Sequence, residues 1–150
     1  MVEFGQWLLE EVVKAIPQRH WAFSIPKMLR GSFLYDRKLL CALSRCAWET
    51  LKQYLQEVLP ETDVQPGAVI AVQTFGGPLE FNPHCHVLLA DGGFYGRDMF
   101  RVAPRPETKH VEELFRHKVF RLLLRRKKIS PELIDNLMGT RLLQGRSEPG

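Results

Sequence analysis

Two apolar runs separated by a glycine-rich break constrain this chain more than any other feature. Residues 68–75 read AVIAVQTF and residues 84–90 read HCHVLLA; Gly76-Gly77-Pro78 ends the first run and Pro83 precedes the second. Short apolar runs rich in β-branched residues and bounded by Gly and Pro read as strands. The eight residues between them are too few for the crossover that a parallel pair needs, so the two strands pair antiparallel. Their apolar face needs a cover, and helices on both sides in the chain supply it. Asp36 stands as N-cap before residues 37–59, where Leu40, Leu43, Ala47, Leu51, Tyr54 and Val58 recur at helical spacing up to Pro60. Residues 111–126 make a second helix with Val111, Leu114, Phe115, Val119, Leu122 and Leu123 inward, and Ser130-Pro131 opens a third. Ahead of these, residues 3–15 read as a short amphipathic helix, and residues 20–25 (HWAFSI) alternate as a strand ended by Pro26. Residues 99–102 make a further short strand. The expected class is α+β, one antiparallel sheet with helices packed on it. At 150 residues this is one domain, expected over 1–144 with a frayed tail at 145–150.

Charge is unevenly placed. The chain carries a net +4, yet residues 109–128 hold eight Lys or Arg against only Glu112 and Glu113, which leaves the remainder slightly acidic. A local basic stripe points to a polyanionic partner more directly than overall charge does; a solvated helix face is the alternative. The three cysteines, Cys41, Cys46 and Cys85, include no C-x-x-C. Cys41 and Cys46 fall on different faces of one helix, the pattern of free thiols in a reducing cytosol. The N-terminus has no basic stretch ahead of an apolar run, and no run of about 18 apolar residues occurs. Neither a signal peptide nor a membrane span is expected, and the chain reads as cytoplasmic.

The chemistry-bearing feature is Pro83-His84-Cys85-His86. Alternate side chains of a strand share a face, so His84 and His86 stand about 7 Å apart on one side while Cys85 and Val87 point to the other. Two imidazoles so spaced can close on one metal ion. H-x-H alone is a weak signal, because two ring edges satisfied by water or carboxylates at a strand start give the same pattern. Here the pair opens a strongly apolar strand, and the preceding strand carries a solitary amide, Gln73. A buried amide needs hydrogen-bond partners or a ligand role. Whether Gln73 shares the histidines' side depends on a register that composition does not set; an amide bonded to a neighbouring side chain is the alternative.

The runs AVIAVQTFGGPLEFNPHCHVLLADGGF and HWAFSIPKMLRGSFLYDRKLL resemble signature segments of rolling-circle transposases that use two tyrosines, members of the His-hydrophobic-His endonuclease class. The likeness extends from about Phe4 to Leu137, through VEELFRHKVFRLLL. Its most specific parts are F-N-P-H-x-H and the strand bearing Gln73-Thr74-Phe75-Gly76. The resemblance implies a Rep- or relaxase-like sheet. It also implies a chemistry: single-stranded DNA is bound at a transposon end, and a tyrosine hydroxyl attacks the scissile phosphate, leaving a 5′-phosphotyrosine and a free 3′-OH. A divalent metal, Mg²⁺ or Mn²⁺, sits on the paired histidines and polarises the phosphate. His84 and His86 match the ligand pair, and Gln73 matches the polar position on the neighbouring strand as candidate third ligand. Imidazole ligation suits Mn²⁺ better than Mg²⁺, which prefers oxygen.

The chain departs from that pattern at both flanks. The family's catalytic tyrosines lie on a helix beyond the basic one, whereas Tyr35, Tyr54 and Tyr95 occupy other positions and the sequence stops at Gly150. A cysteine-rich zinc module that often precedes the domain is not seen. The expectation is a core cut off before its nucleophile, either a nicking domain or a non-catalytic metal- and DNA-binding remnant. DNA contacts are expected from His117, Arg121, Arg125 and Lys128, one stripe of the basic helix, and from Lys27, Arg30 and Arg37 after the first strand. Such cations grip phosphates without reading sequence. Trp21 and Phe23 either stack bases or, as an alternating aromatic strand more often does, form core. A histidine-triad nucleotide hydrolase also carries H-x-H on a strand, but it needs a third alternating histidine where this chain has Leu88.

Overall fold

A computed structural model describes residues 16–34, 36–77, 80–140 and 146–148. The expected helix at 3–15 and Tyr35 lie outside them. The chain runs through β1 (Gln18–Ser24), a 3-10 helix (Lys27–Phe33), α1 (Arg37–Val58), β2 (Gln65–Gly77), β3 (Glu80–Tyr95), β4 (Met99–Val102), α2 (Thr108–Arg125), α3 (Pro131–Thr140) and β5 (Arg146–Glu148). The fold is α+β. Five strands form one sheet in the order β2-β3-β1-β5, with β4 on the far end of β3, and every pairing is antiparallel. Among the described residues no helix is long and apolar enough to cross a membrane.

Local chemistry explains the element ends. Asp36 caps α1, its Oδ1 accepting from the Leu39 amide at 3.0 Å, and Ser130 accepts from Leu133 N–H at 3.3 Å to open α3. The buried stripe of α1 starts at Leu39 and continues through Leu43, Ala47, Leu51 and Leu55. Leu43, Ala47, Leu51 and Tyr54 are buried as expected, whereas the expected Leu40 and Val58, at the two ends of the helix, are only half-buried. In α2, Val111, Phe115, Val119, Phe120, Leu122 and Leu123 are buried and Leu114 is at the margin. Cys41 is exposed and Cys46 buried, and all three thiols are free.

The hairpin is longer than its apolar runs. Both strands continue past them, to Gly77 and from Glu80, where the backbone ladder persists without a face to bury. Asp91-Gly92-Gly93, which follows the second apolar run, lies within β3. The two glycines stand where other chain passes close. A Cβ on Gly92 would lie 2.1 Å from the Arg101 carbonyl oxygen, and one on Gly93 2.2 Å from Val64 Cγ1. They admit β4 and the loop before β2 rather than ending the strand. Arg146–Glu148 pairs with β1 at His20, Trp21 and Ala22. An unpaired strand edge offers backbone bonds to any passing segment, with no side-chain pattern required.

One face of the sheet is covered. Trp21, Phe23, Cys85, Val87 and Leu89 are buried there, and Phe23 meets Phe115 of α2 with ring centroids 4.6 Å apart. Helix α1 packs on β2 and β3 from the same side. Trp21 and Phe23, each 2% exposed, are core and take no part in base stacking.

Candidate metal centre and cation clusters

Register decides what stands together on the other face. In β2–β3 pairing, Gln73 is opposite His84, Ala71 opposite His86 and Val69 opposite Leu88. In β1–β3 pairing, Ser24 is opposite His84, Ala22 opposite His86 and His20 opposite Leu88. Residues directly opposite in an antiparallel pair share a face. Three rows therefore cross the sheet on the side away from α1 and α2: Gln73–His84–Ser24, Ala71–His86–Ala22 and Val69–Leu88–His20. This face is open among the described residues, with Val69 68% and Leu88 40% exposed.

The side chains meet as the rows require. The His84 and His86 rings lie 4.8 Å apart, nearly perpendicular at 79°. His84 Nε2 is 3.2 Å from Gln73 Oε1, and its Nδ1 is 2.6 Å from the Asn82 carbonyl oxygen. That carbonyl can only accept, so Nδ1 carries the proton and Nε2 turns its lone pair toward the Gln73 amide. Two acceptors facing each other at 3.2 Å need something between them: a cation, a proton on Nε2, or the amide turned so that its NH₂ donates. A backbone carbonyl fixing one ring nitrogen while the other faces a second donor atom is how metal-binding histidines are commonly oriented. Among the described residues, Asn82 Oδ1, two residues before His84, is buried without a partner.

Electrostatics favour the neutral form of His86. Burial holds the His86 pKa below the ordinary imidazole range, and the neighbouring His84 and His20 push in the same direction. A neutral imidazole is the ligand form. On the opposite face Cys85 is fully buried and its thiol is pushed up to about 12 by burial. It is a core residue with no thiolate to offer. Among the described residues no three His, Cys, Asp or Glu side chains converge to hold a metal ion. What the open face gathers at His84 is two imidazoles and an amide oxygen.

A family model described as "Putative transposase" matches residues 67–142, from β2 through α3. The chain belongs to this transposase family. Its role accordingly lies in transposition. No curated protein and no solved structure matches the chain. The matched segment of this family member contains Gln73, His84 and His86 and the whole basic helix; His20 lies outside it.

The described tyrosines are not near the histidines. Tyr54 is buried in α1, on the covered side of the sheet. Tyr95 ends β3, eleven residues from His84, a strand distance of roughly 35 Å.

The cations expected on DNA fall into separate groups. Lys27 and Arg30 lie on the 3-10 helix that follows β1, and Arg30 pairs with Glu80 at 3.4 Å, which ties it to the His84 end of β3. Arg37 is exposed on the first turn of α1, and His117 is exposed on α2. Arg121 and Arg125 line a cleft of about 260 Å³ between α1 and α2, together with Arg45, Lys118 and Arg126 and a single acid, Glu49. Cys46, at the cleft wall, belongs to the buried core, so this cleft is on the helix layer with the sheet between it and the histidines. Lys128 is not among its lining residues: its Nζ stands 3.7 Å from Asp36. Arg45, Lys118 and Arg126 gave no separate sequence signal, because α1 and α2 become neighbours only in the fold. His20 was also missed. Its alternation with Ala22 and Ser24 marks one strand face, but only the β1–β3 pairing makes it the histidines' face.

Proposed function

We propose that this transposase family member is the metal-bearing, single-stranded-DNA-binding core of a rolling-circle transposase of the His-hydrophobic-His class. The observation that carries the reading is the row Gln73–His84 beside His86, with the His84 Nε2 lone pair and Gln73 Oε1 facing each other at 3.2 Å. A divalent cation bound there supplies Lewis-acid polarisation of a phosphodiester. Two imidazoles with one amide oxygen favour Mn²⁺ over Mg²⁺. His84 is oriented by the Asn82 carbonyl, and Gln73 closes the site from β2. Phe75, 61% exposed beyond Gln73 on the same strand, offers a ring to an unpaired base. Lys27, Arg30 and Arg37 then hold phosphates along this end of the sheet, and the α1–α2 cleft, with His117 outside it, grips a more distant stretch of backbone.

Phosphate contacts of this kind predict a salt response. Wild-type protein is expected to bind a labelled single strand of mixed sequence with an affinity that falls steeply with salt. Replacing Arg45, Arg121 and Arg125 by Ala should reduce the log–log slope by about 2, three charges at about 0.7 each. Lys128→Ala should change it little, because Asp36 already engages that charge. Fluorescence anisotropy over a salt series measures both; an unchanged slope in the triple variant places the DNA path elsewhere.

A specific observation favours binding without nicking for the chain as given: the described tyrosines, Tyr54 and Tyr95, are both remote from the histidines. Transesterification needs a nucleophile held about 3 Å from phosphorus. Incubation with Mn²⁺ and a single strand carrying a matching transposon end should therefore yield no protein–DNA band stable to denaturation. A covalent band that is lost on Tyr35→Phe or Tyr95→Phe would show a working nicking enzyme.

A further inference from the structure

We propose that His20 is a positioning residue for His86: it accepts the Nδ1–H of His86 and so keeps Nε2 of His86 as the free lone pair. The use of that lone pair rests on the metal-centre reading above; the hydrogen bond does not. His20 Nε2 lies 3.1 Å from His86 Nδ1. The two rings are nearly parallel, 15° apart, with centroids separated by 5.1 Å, close to the in-plane arrangement that an N–H···N bond requires.

The sequence makes this contact available by what it puts opposite His86. The residue directly across on β1 is Ala22, whose methyl group leaves the space above it empty. His20, two residues earlier on the same face, is the diagonal neighbour, and diagonal neighbours are within reach of aromatic side chains. A larger residue at 22 would close that path.

A neutral pair can share one proton in two ways. If His86 donates from Nδ1, its Nε2 is an acceptor and can take a metal ion. If His20 donates from Nε2, His86 keeps its own proton on Nε2 and cannot. His84 already shows the first pattern, with Nδ1 committed to the Asn82 carbonyl. His20 gives His86 the equivalent partner, the role that a carboxylate or carbonyl commonly takes behind a ligating histidine. It is not a third ligand. The three histidines do not converge on a point, and the His20 nitrogen that approaches His86 is aimed at Nδ1 of that ring.

Two variants and two readouts test the assignment. His20→Phe keeps a ring and removes the acceptor; His20→Gln keeps a polar atom near the position of Nε2. In metal-free protein, long-range ¹H–¹⁵N spectra of the imidazoles should show His86 with its proton on Nδ1 in the wild type and in His20→Gln. In His20→Phe the proton should move toward Nε2. Mn²⁺ affinity by calorimetry should fall about 10–100-fold in His20→Phe and recover most of the way in His20→Gln. A wild-type His86 protonated on Nε2 overturns the proposal, as does an unchanged tautomer in His20→Phe. Equal Mn²⁺ affinity in wild type and His20→Phe overturns it too, and so does equal loss in both variants, which would make His20 a ligand or a packing residue. Wild-type protein that binds no Mn²⁺ defeats the metal-centre reading instead, and the tautomer measurement then still decides the role of His20.

Discussion

The His84→Ala/His86→Ala double variant is expected to lose Mn²⁺ binding by more than about 100-fold, since groups that merely orient a ligand are already worth about 10–100-fold. Both side chains are half-buried on the open sheet face, so their removal leaves the core of Trp21, Phe23, Cys85 and Val87 intact, and circular dichroism should be unchanged. Gln73→Ala should weaken binding less, because it removes one neutral oxygen donor while both imidazoles remain. Cys41→Ser, at an exposed free thiol, serves as a control without effect. Calorimetry or the free-Mn²⁺ EPR signal measures all four proteins. Equal binding by wild type and the double variant would remove the metal centre, and with it the nicking chemistry, while leaving family membership and the basic cleft untouched.

Phe23→Ala is expected to cost about 3–5 kcal/mol of folding stability. Phe23 is 2% exposed and sits between Trp21, its ring centroid 5.9 Å away, and Phe115 at 4.6 Å. It joins β1 to α2 directly behind the histidine rows. Truncation leaves a cavity that rigid neighbours on a sheet and a helix fill poorly. Against a typical total of about 5–15 kcal/mol, a loss of that size should move the urea midpoint far down with little change in slope. Phe75→Ala is the contrast: at 61% exposure it should shift stability by no more than about 0.5 kcal/mol. A Phe23→Ala cost under about 1 kcal/mol would mean that α2 does not pack on β1 as described.

The parts legible in the sequence are those governed by local chemistry. Asp36 and Ser130 announced their helices because a side-chain oxygen meets backbone N–H groups two or three residues away. Residues 68–75 and 84–90 announced strands, and the short connection between them set their antiparallel sense. Alternation along β3 put His84 and His86 on one side and Cys85 on the other. Local patterning failed where the backbone alone carries the structure. The hairpin extends through Gly76 and Gly77 and past Gly92 and Gly93, and β5 joins an edge, because ladder hydrogen bonds need no apolar side chain.

What the tertiary structure decided is which distant residues share a face or a cleft. The order of apolar and polar residues divides each strand into two sides, but the apolar run of β2 has hydrophobes on both, and a shift of one residue in pairing would turn Gln73 away from His84 and onto the covered face. The bulges in β2 and the packing of α1 and α2 on one side select the register that brings Gln73 to His84. The β1–β3 pairing brings His20 to His86 for the same reason. Arg45 meets Arg121 and Arg125 only because two amphipathic stripes bury themselves on the same sheet, and Lys128, on the expected stripe, is drawn to Asp36 instead. By itself the sequence determined the main helices and the apolar parts of β1, β2 and β3, the side on which each histidine stands and the helix that carries the excess charge. Packing of the covered face determined which of those groups meet, since burying apolar area is the dominant favourable term in folding and the polar face follows the register it selects.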